Sequence, residues 1–164
     1  MSWQHDKSKC FAAFVVGTII VMTMMRVGLG TLFFYNKTDS APHGLYLRSF
    51  ARPLEPCDYV IVRLPMDVPA LGVAKDFLLL KKVAGLPGDA YTVTQKALFF
   101  QGREYPLERS EALPQLTAGS YQVPDNRYLL LNEPSASFDS RYLGPIATEQ
   151  IVCRVHLILR TDGW

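Results

Sequence analysis

Histidine and cysteine are scarce in this chain, three of each in 164 residues, and no group of them has the spacing of metal ligands. Neither a metal nor a cofactor is therefore expected. An excess of one charge is missing too: 17 Lys and Arg stand against 15 Asp and Glu, a net charge of +2. The basic residues are scattered without a stripe, so nucleic acid is not expected as a partner. There are no internal repeats and no low-complexity tracts. Beyond residue 35 no stretch shows the apolar period of an amphipathic helix. His5, His43 and His156 fit no triad spacing and are assigned no chemistry.

What the chain does have is one long apolar run near its start. Phe11 to Met25 is apolar throughout, and Val27 to Tyr35 continues it after the single charge of Arg26. As one helix over 11–35 it would span about 37 Å, against a hydrocarbon core of about 30 Å. That length predicts an uncleaved transmembrane anchor, with the lipid bilayer as a partner. A removable signal peptide has a shorter apolar region, and cleavage at Gly28-Leu29-Gly30 would leave Ser40 close to an unanchored end. Lys7 and Lys9 precede the run, while Lys37 and Asp39 behind it cancel. The positive-inside bias thus predicts a cytoplasmic tail over 1–10 and an exported domain over 36–164. A central Arg costs about 2.5–3.5 kcal/mol on insertion scales. Arg26 either lies past the midplane and snorkels outward or meets a partner helix.

The exported part is mostly β, with short runs broken by Pro and Gly. Strands are expected at Leu45–Arg48, Tyr59–Leu64, Phe77–Lys81, Tyr91–Thr94, Ala97–Phe100, Glu104–Leu107, Tyr128–Leu131 and Ile151–Leu159. Arg109 to Ser120 is polar, carries Pro114 and Gly119, and is expected to be a surface excursion. Closed or coiled sheets follow from this pattern, and the domain is long enough to bury roughly two thirds of its unfolded surface.

Ser40 stands five residues beyond Tyr35, at most about 18 Å of chain away. A peptide bond that meets it must lie near the membrane surface, which suits a membrane-embedded substrate. A serine hydroxyl needs a neighbouring base. Lysine serves when its amine is neutral, which requires burial to pull down a pKa of about 10.4. Phe77-Leu78-Leu79-Leu80 delivers Lys81 at the end of an apolar strand. Lys82 competes with it. Strand neighbours point to opposite faces, so only one of the two enters a given site, and periodicity does not choose between them.

Three segments carry a resemblance: Thr38-Asp39-Ser40-Ala41-Pro42, then Leu80-Lys81-Lys82-Val83-Ala84-Gly85-Leu86-Pro87-Gly88-Asp89, then Ser137-Phe138-Asp139-Ser140-Arg141-Tyr142-Leu143-Gly144. In this order they resemble the boxes of bacterial type I signal peptidases, the membrane-bound Ser-Lys endopeptidases. The short form Ser-Ala-Pro-His-Gly-Leu-Tyr is most similar to the conjugal-transfer, TraF-type branch that matures pilins. The likeness runs from Phe11 to the last strand.

The resemblance implies a signal-peptidase-like coiled β-sheet catalytic domain behind one N-terminal transmembrane helix in the bacterial inner membrane, with the domain on the periplasmic side. It implies Ser40 as nucleophile and selects Lys81 as base, four residues before Gly85, leaving Lys82 a supporting role. It makes the Ser40 N–H one oxyanion donor and the Thr38 hydroxyl the candidate second. Ser137 would orient the lysine amine, and Asp139 with Arg141 would form a structural ion pair. Gly85, Pro87 and Gly88 are expected to shape a turn.

The implied substrate is an exported, membrane-inserted precursor with small residues at the cleavage site, of pilin type, with hydrolysis and cyclisation both open. Two other readings stand beside it: a housekeeping signal peptidase, and a catalytically silent, membrane-anchored scaffold of the conjugation apparatus. Departures from the family pattern are Ala41 in place of Met, and Cys57 and Cys153 in place of Gly. A Cys57–Cys153 disulfide or two free thiols are the alternatives for an exported pair, and Cys10 is expected to stay reduced.

Overall fold

A computed structural model of the chain describes residues 3–30, 32–50 and 53–161. It divides into two units, Met1–Phe34 and Tyr35–Trp164. The first is dominated by helix α1 (Trp3–Gly30). Its described apolar side chains, Phe14, Ile19, Ile20 and Met24 among them, are exposed. The Thr18 and Thr23 hydroxyls donate back to the Phe14 carbonyl at 2.9 Å and the Ile19 carbonyl at 2.8 Å, so neither needs a polar partner outside the helix.

Among the described residues, no helix is long and apolar enough to cross a membrane. The expected anchor over 11–35 lies in part outside them, since the side chains of 11–13, 27 and 29–30 and the whole of residue 31 fall there, as does the Cys10 side chain. The helix also stops short of Tyr35. Gly28 and Gly30 weaken its last turn, and the aromatic run that follows takes strand form instead, as β1 (Phe33–Asn36).

The second unit continues with β2 (Gly44–Ser49), β3 (Tyr59–Arg63), β4 (Leu78–Gly85), β5 (Ala90–Val93), β6 (Ala97–Phe100), β7 (Arg103–Pro106), β8 (Gly119–Gln122) and β9 (Arg127–Leu130). Helix α2 (Ser140–Leu143), β10 (Ile146–Ala147) and β11 (Ile151–Arg160) complete it. Seven strands form one sheet in the order β1-β2-β11-β3-β4-β9-β10, and four form a smaller one, β7-β6-β5-β8. The long β11 pairs antiparallel with β2 on one side and β3 on the other, with register shifts at Leu157/Leu159 and Ile151/Cys153. Such shifts sharpen local twist.

Strand β9 connects two cores. Leu129 and Leu131 belong to a cluster with Tyr91, Leu98 and Phe100, while Leu130 packs with Val60, Val62 and Val83. A strand buried on both faces reads as an unbroken apolar run, which is why Leu129-Leu130-Leu131 lacks alternation.

The strand expected at Phe77–Lys81 runs on to Gly85. Gly85 therefore does not shape the turn: it ends β4, where a Cβ would lie 3.0 Å from a Phe100 ring carbon and 3.1 Å from Leu129 Cβ. The turn itself is closed by the Asp89 carboxylate, which accepts the Leu86 N–H at 2.8 Å. The polar excursion is tied down by Arg109, whose guanidinium donates to the Gln95 and Thr94 carbonyls at 2.8 and 2.9 Å. Its end forms β8.

Cys57 and Cys153 are free thiols, the first exposed and the second buried. Register explains this. Cys153 pairs with Ile61, four residues and about 13 Å along the chain from Cys57, whereas a disulfide needs Cα atoms within about 7 Å. Cys57 also occupies the left-handed region, with φ of 74°, which suits the glycine expected there.

At the start of β2, Gly44 has φ of 153° and its backbone presses on the Leu159 carbonyl, so an added Cβ would overlap that oxygen. Gly44→Ala is expected to lower stability by about 3 kcal/mol, at the upper end of overpacking penalties. Denaturant unfolding measures it, and a loss below about 1 kcal/mol would contradict the close approach of β2 and β11.

Candidate active site

Alternation along β4 puts the two lysines on opposite faces of the strand. Lys81, Val83 and Gly85 are buried, while Leu80, Lys82 and Ala84 are only partly so. Lys81, 4% exposed, faces the same side as its cross-strand partner Val60. Its amine donates to the Ser137 hydroxyl at 3.0 Å. Burial pulls its pKa down to about 8, with nearby Asp139 opposing that shift and Arg141 adding to it. Lys82 pairs instead with Tyr59 on the other face, and its amine rests 3.5 Å from the Glu133 carboxylate.

Ser137 is held by the segment around it. Asp139 caps α2, accepting the Arg141 N–H, and forms a buried ion pair with the Arg141 guanidinium at 2.8 Å. The same guanidinium donates to the carbonyls of Asn132 at 3.0 Å, Pro134 at 2.8 Å and Ser135 at 3.2 Å. One fully buried cation thus gathers the chain on both sides of Ser137, and such a pair holds only when its remaining donors are satisfied.

Asn132 carries a role that sequence reasoning did not assign. Its Oδ1 accepts the Lys82 N–H at 2.9 Å and its Nδ2 donates to the Leu80 carbonyl at 3.3 Å. The side chain thereby grips the β4 backbone on both flanks of Lys81. The only signal in the sequence is a carboxamide directly after an apolar strand.

Ser40 sits in the turn after β1. Its hydroxyl lies 3.1 Å from that of Thr38, which itself donates to Asn36 Oδ1 at 2.8 Å. Thr38's one hydrogen is committed to Asn36, so Thr38 presents an acceptor to Ser40. The expected oxyanion donor faces away from that task in this arrangement. His43, given no role in the sequence reading, pairs with Asp39 at 2.9 Å beside Ser40.

A cleft of about 580 Å³ opens here, lined by Ser40, Ala41, Tyr59, Lys82, Asn132 and Pro134 among others. The structure thus brings Lys81 to Ser137, Asp139 to Arg141 and Ser40 to Thr38. Among the described residues, no direct hydrogen bond joins the Ser40 hydroxyl to the Lys81 amine, and the lysine that lines the cleft with Ser40 is Lys82. No group of three or more His, Cys, Asp or Glu among the described residues is arranged to hold a metal.

Residues 8–160 match the family described as signal peptidase, peptidase S26. The chain belongs to that family. It is a family that supports a serine peptidase acting on exported precursors. This signal peptidase homologue is 29% identical over 164 residues to a plasmid transfer protein TraF of Escherichia coli, covering 85% of this chain and 89% of that one. It is 33% identical over 84 residues to a probable signal peptidase I-2 of Synechocystis, covering 49% of this chain and 38% of that one. A crystal structure of a signal peptidase I from Enterococcus faecalis aligns with a TM-score of 0.40 and 18% identity, over 65% of this chain and 98% of that chain.

The depressed Lys81 pKa links to stability. The folded chain holds fewer protons than the unfolded one between about 8 and the usual lysine value of 10.5, so stability rises with pH across that window. Below about 8 the buried amine is charged and the folded state carries its desolvation penalty. Lys81→Met is therefore expected to raise the melting temperature near pH 7 and to flatten this rise. A variant less stable than the parent at pH 7 would contradict the desolvated amine.

Proposed function

We propose that this chain is a membrane-anchored serine endopeptidase with a Ser40–Lys81 dyad that cleaves an exported precursor of pilin type. The observation that carries the reading is the Lys81 amine, buried, drawn down to about 8 and seated on Ser137. A lysine so placed is a base near neutral pH, where an exposed one is not. The Ser40 hydroxyl leaves Thr38 and turns toward Lys81. Its proton passes to Nζ as Oγ bonds to the peptide carbonyl carbon.

The oxyanion is received by the Ser40 N–H, while the Thr38 hydroxyl stays committed to Asn36. Collapse of the tetrahedral species breaks the C–N bond, and the Lys81 ammonium protonates the leaving amine. The acyl group stays on Ser40 until water, or an amine of the substrate itself, displaces it. The first outcome is hydrolysis and the second cyclisation.

Anchoring is supported by the apolar run 11–25 of the sequence, whose Thr18 and Thr23 hydroxyls are satisfied internally. Its orientation with the domain on the periplasmic side rests on Lys7 and Lys9. The plasmid transfer name of its relatives favours a conjugative precursor over a broad housekeeping range.

Co-expression of the full chain with candidate pilin precursors tests the reading. Ser40→Ala and Lys81→Ala are each expected to reduce processing at least a thousandfold. With the wild type, kcat/KM should rise about tenfold per pH unit below about 8 and level off above it, following the neutral amine. A product lighter by one water than the linear chain identifies cyclisation. Processing that survives Ser40→Ala favours the scaffold reading and overturns this one.

A further inference from the structure

Asn36, at the end of β1, is 8% exposed, and its carboxamide is fully engaged. Nδ2 donates to the carbonyls of Thr38 at 3.0 Å, Ala41 at 2.9 Å and Pro42 at 3.1 Å. Oδ1 accepts the Thr38 N–H at 3.2 Å and the Thr38 hydroxyl at 2.8 Å. All five contacts fall on the turn 38–42, which carries Ser40 at its centre. The orientation of the amide is fixed by chemistry: reversed, its NH2 would face the Thr38 N–H and its oxygen would face three carbonyls. Tyr46 adds a further grip on the turn, donating to the Pro42 carbonyl at 2.8 Å.

We infer that Asn36 is a positioning residue for the nucleophile, shaping the turn and, through Thr38, setting the direction of the Ser40 hydroxyl. The inference rests on the reading of Ser40 as nucleophile. Thr38 has one hydroxyl hydrogen, and Asn36 takes it. Ser40 must then donate to Thr38, at 3.1 Å. The resting hydroxyl therefore has one defined orientation.

Without Asn36 the Thr38 hydroxyl is free to donate to Ser40, which occupies a lone pair needed for attack, and the carbonyls of Thr38, Ala41 and Pro42 lose their shared donor. Asn36 is not among the residues lining the cleft, so its effect belongs to the turnover step and not to substrate binding. Buried, uncharged and joined only to the turn, it leaves the titration of Lys81 unchanged.

Steady-state cleavage of a pilin precursor by the full-length chain in detergent micelles, together with thermal unfolding, tests this. Asn36→Ala is expected to lower kcat at least thirtyfold, with KM within threefold and the rising limb of the pH profile still near 8. Folded Asn36→Ala with kcat within threefold of wild type would overturn the inference, as would a loss expressed in KM or a displaced limb. Should that variant fail to fold, the isosteric Asn36→Asp decides by kcat and KM alone, since its carboxylate can itself move the limb. It keeps both acceptor contacts to Thr38 and loses the three donor contacts. Ser40→Ala, run in parallel, separates the two readings: if it still cleaves, the nucleophile assignment fails, whereas an inert Ser40→Ala beside an unaffected Asn36→Ala refutes only the positioning role.

Discussion

An amine can be hidden from water only if something in the protein replaces what water gave it. At Lys81 the replacement is minimal, one hydroxyl acceptor from Ser137, and that meagreness favours the neutral amine. A strand that buries every second residue, a valine across the ladder and a serine at the right height together produce a weakened lysine. Moving the register of β4 by one residue would bury Lys82 in its place and lose the contact with Ser137. The remainder of the domain can be understood as what keeps that register.

The polar groups that keep it are of two kinds. Asp139 and Arg141 are charged and entirely enclosed, yet their effects on Lys81 oppose one another and leave burial as the leading cause of its shift. The pair organises backbone at close range while its two charges act on the amine in opposite directions. Asn36 and Asn132 are neutral, and each satisfies backbone donors and acceptors together. Carboxamides suit places beside a base because they fix geometry without introducing a charge.

Much of this was legible in the sequence. Ser40, Lys81, Ser137, Asp139 and Arg141 stand out by motif, and the strands β2 to β7, β9 and β11 show in short apolar runs. Periodicity left Lys81 and Lys82 undecided, because both follow an apolar stretch without alternation. The strand at β9 was expected, but which core each of its leucines enters was not, since with both faces buried it has no polar side. Helix α2 is a single turn made by the Asp139 cap, too short for any period, and β10 has two residues. Asn36 escaped notice because a polar residue between a strand and a turn has no distinguishing spacing. Its role exists only once the chain has doubled back.

The small sheet has an asymmetry of its own. Its inner residues share a core with β9, but its outer strand β8 is largely exposed. Enlargement or truncation along that outer margin would disturb side chains remote from β4, since exposed segments accept inserted chain most readily. A segment inserted along that rim is therefore expected to leave the packing around β3 and β4 undisturbed.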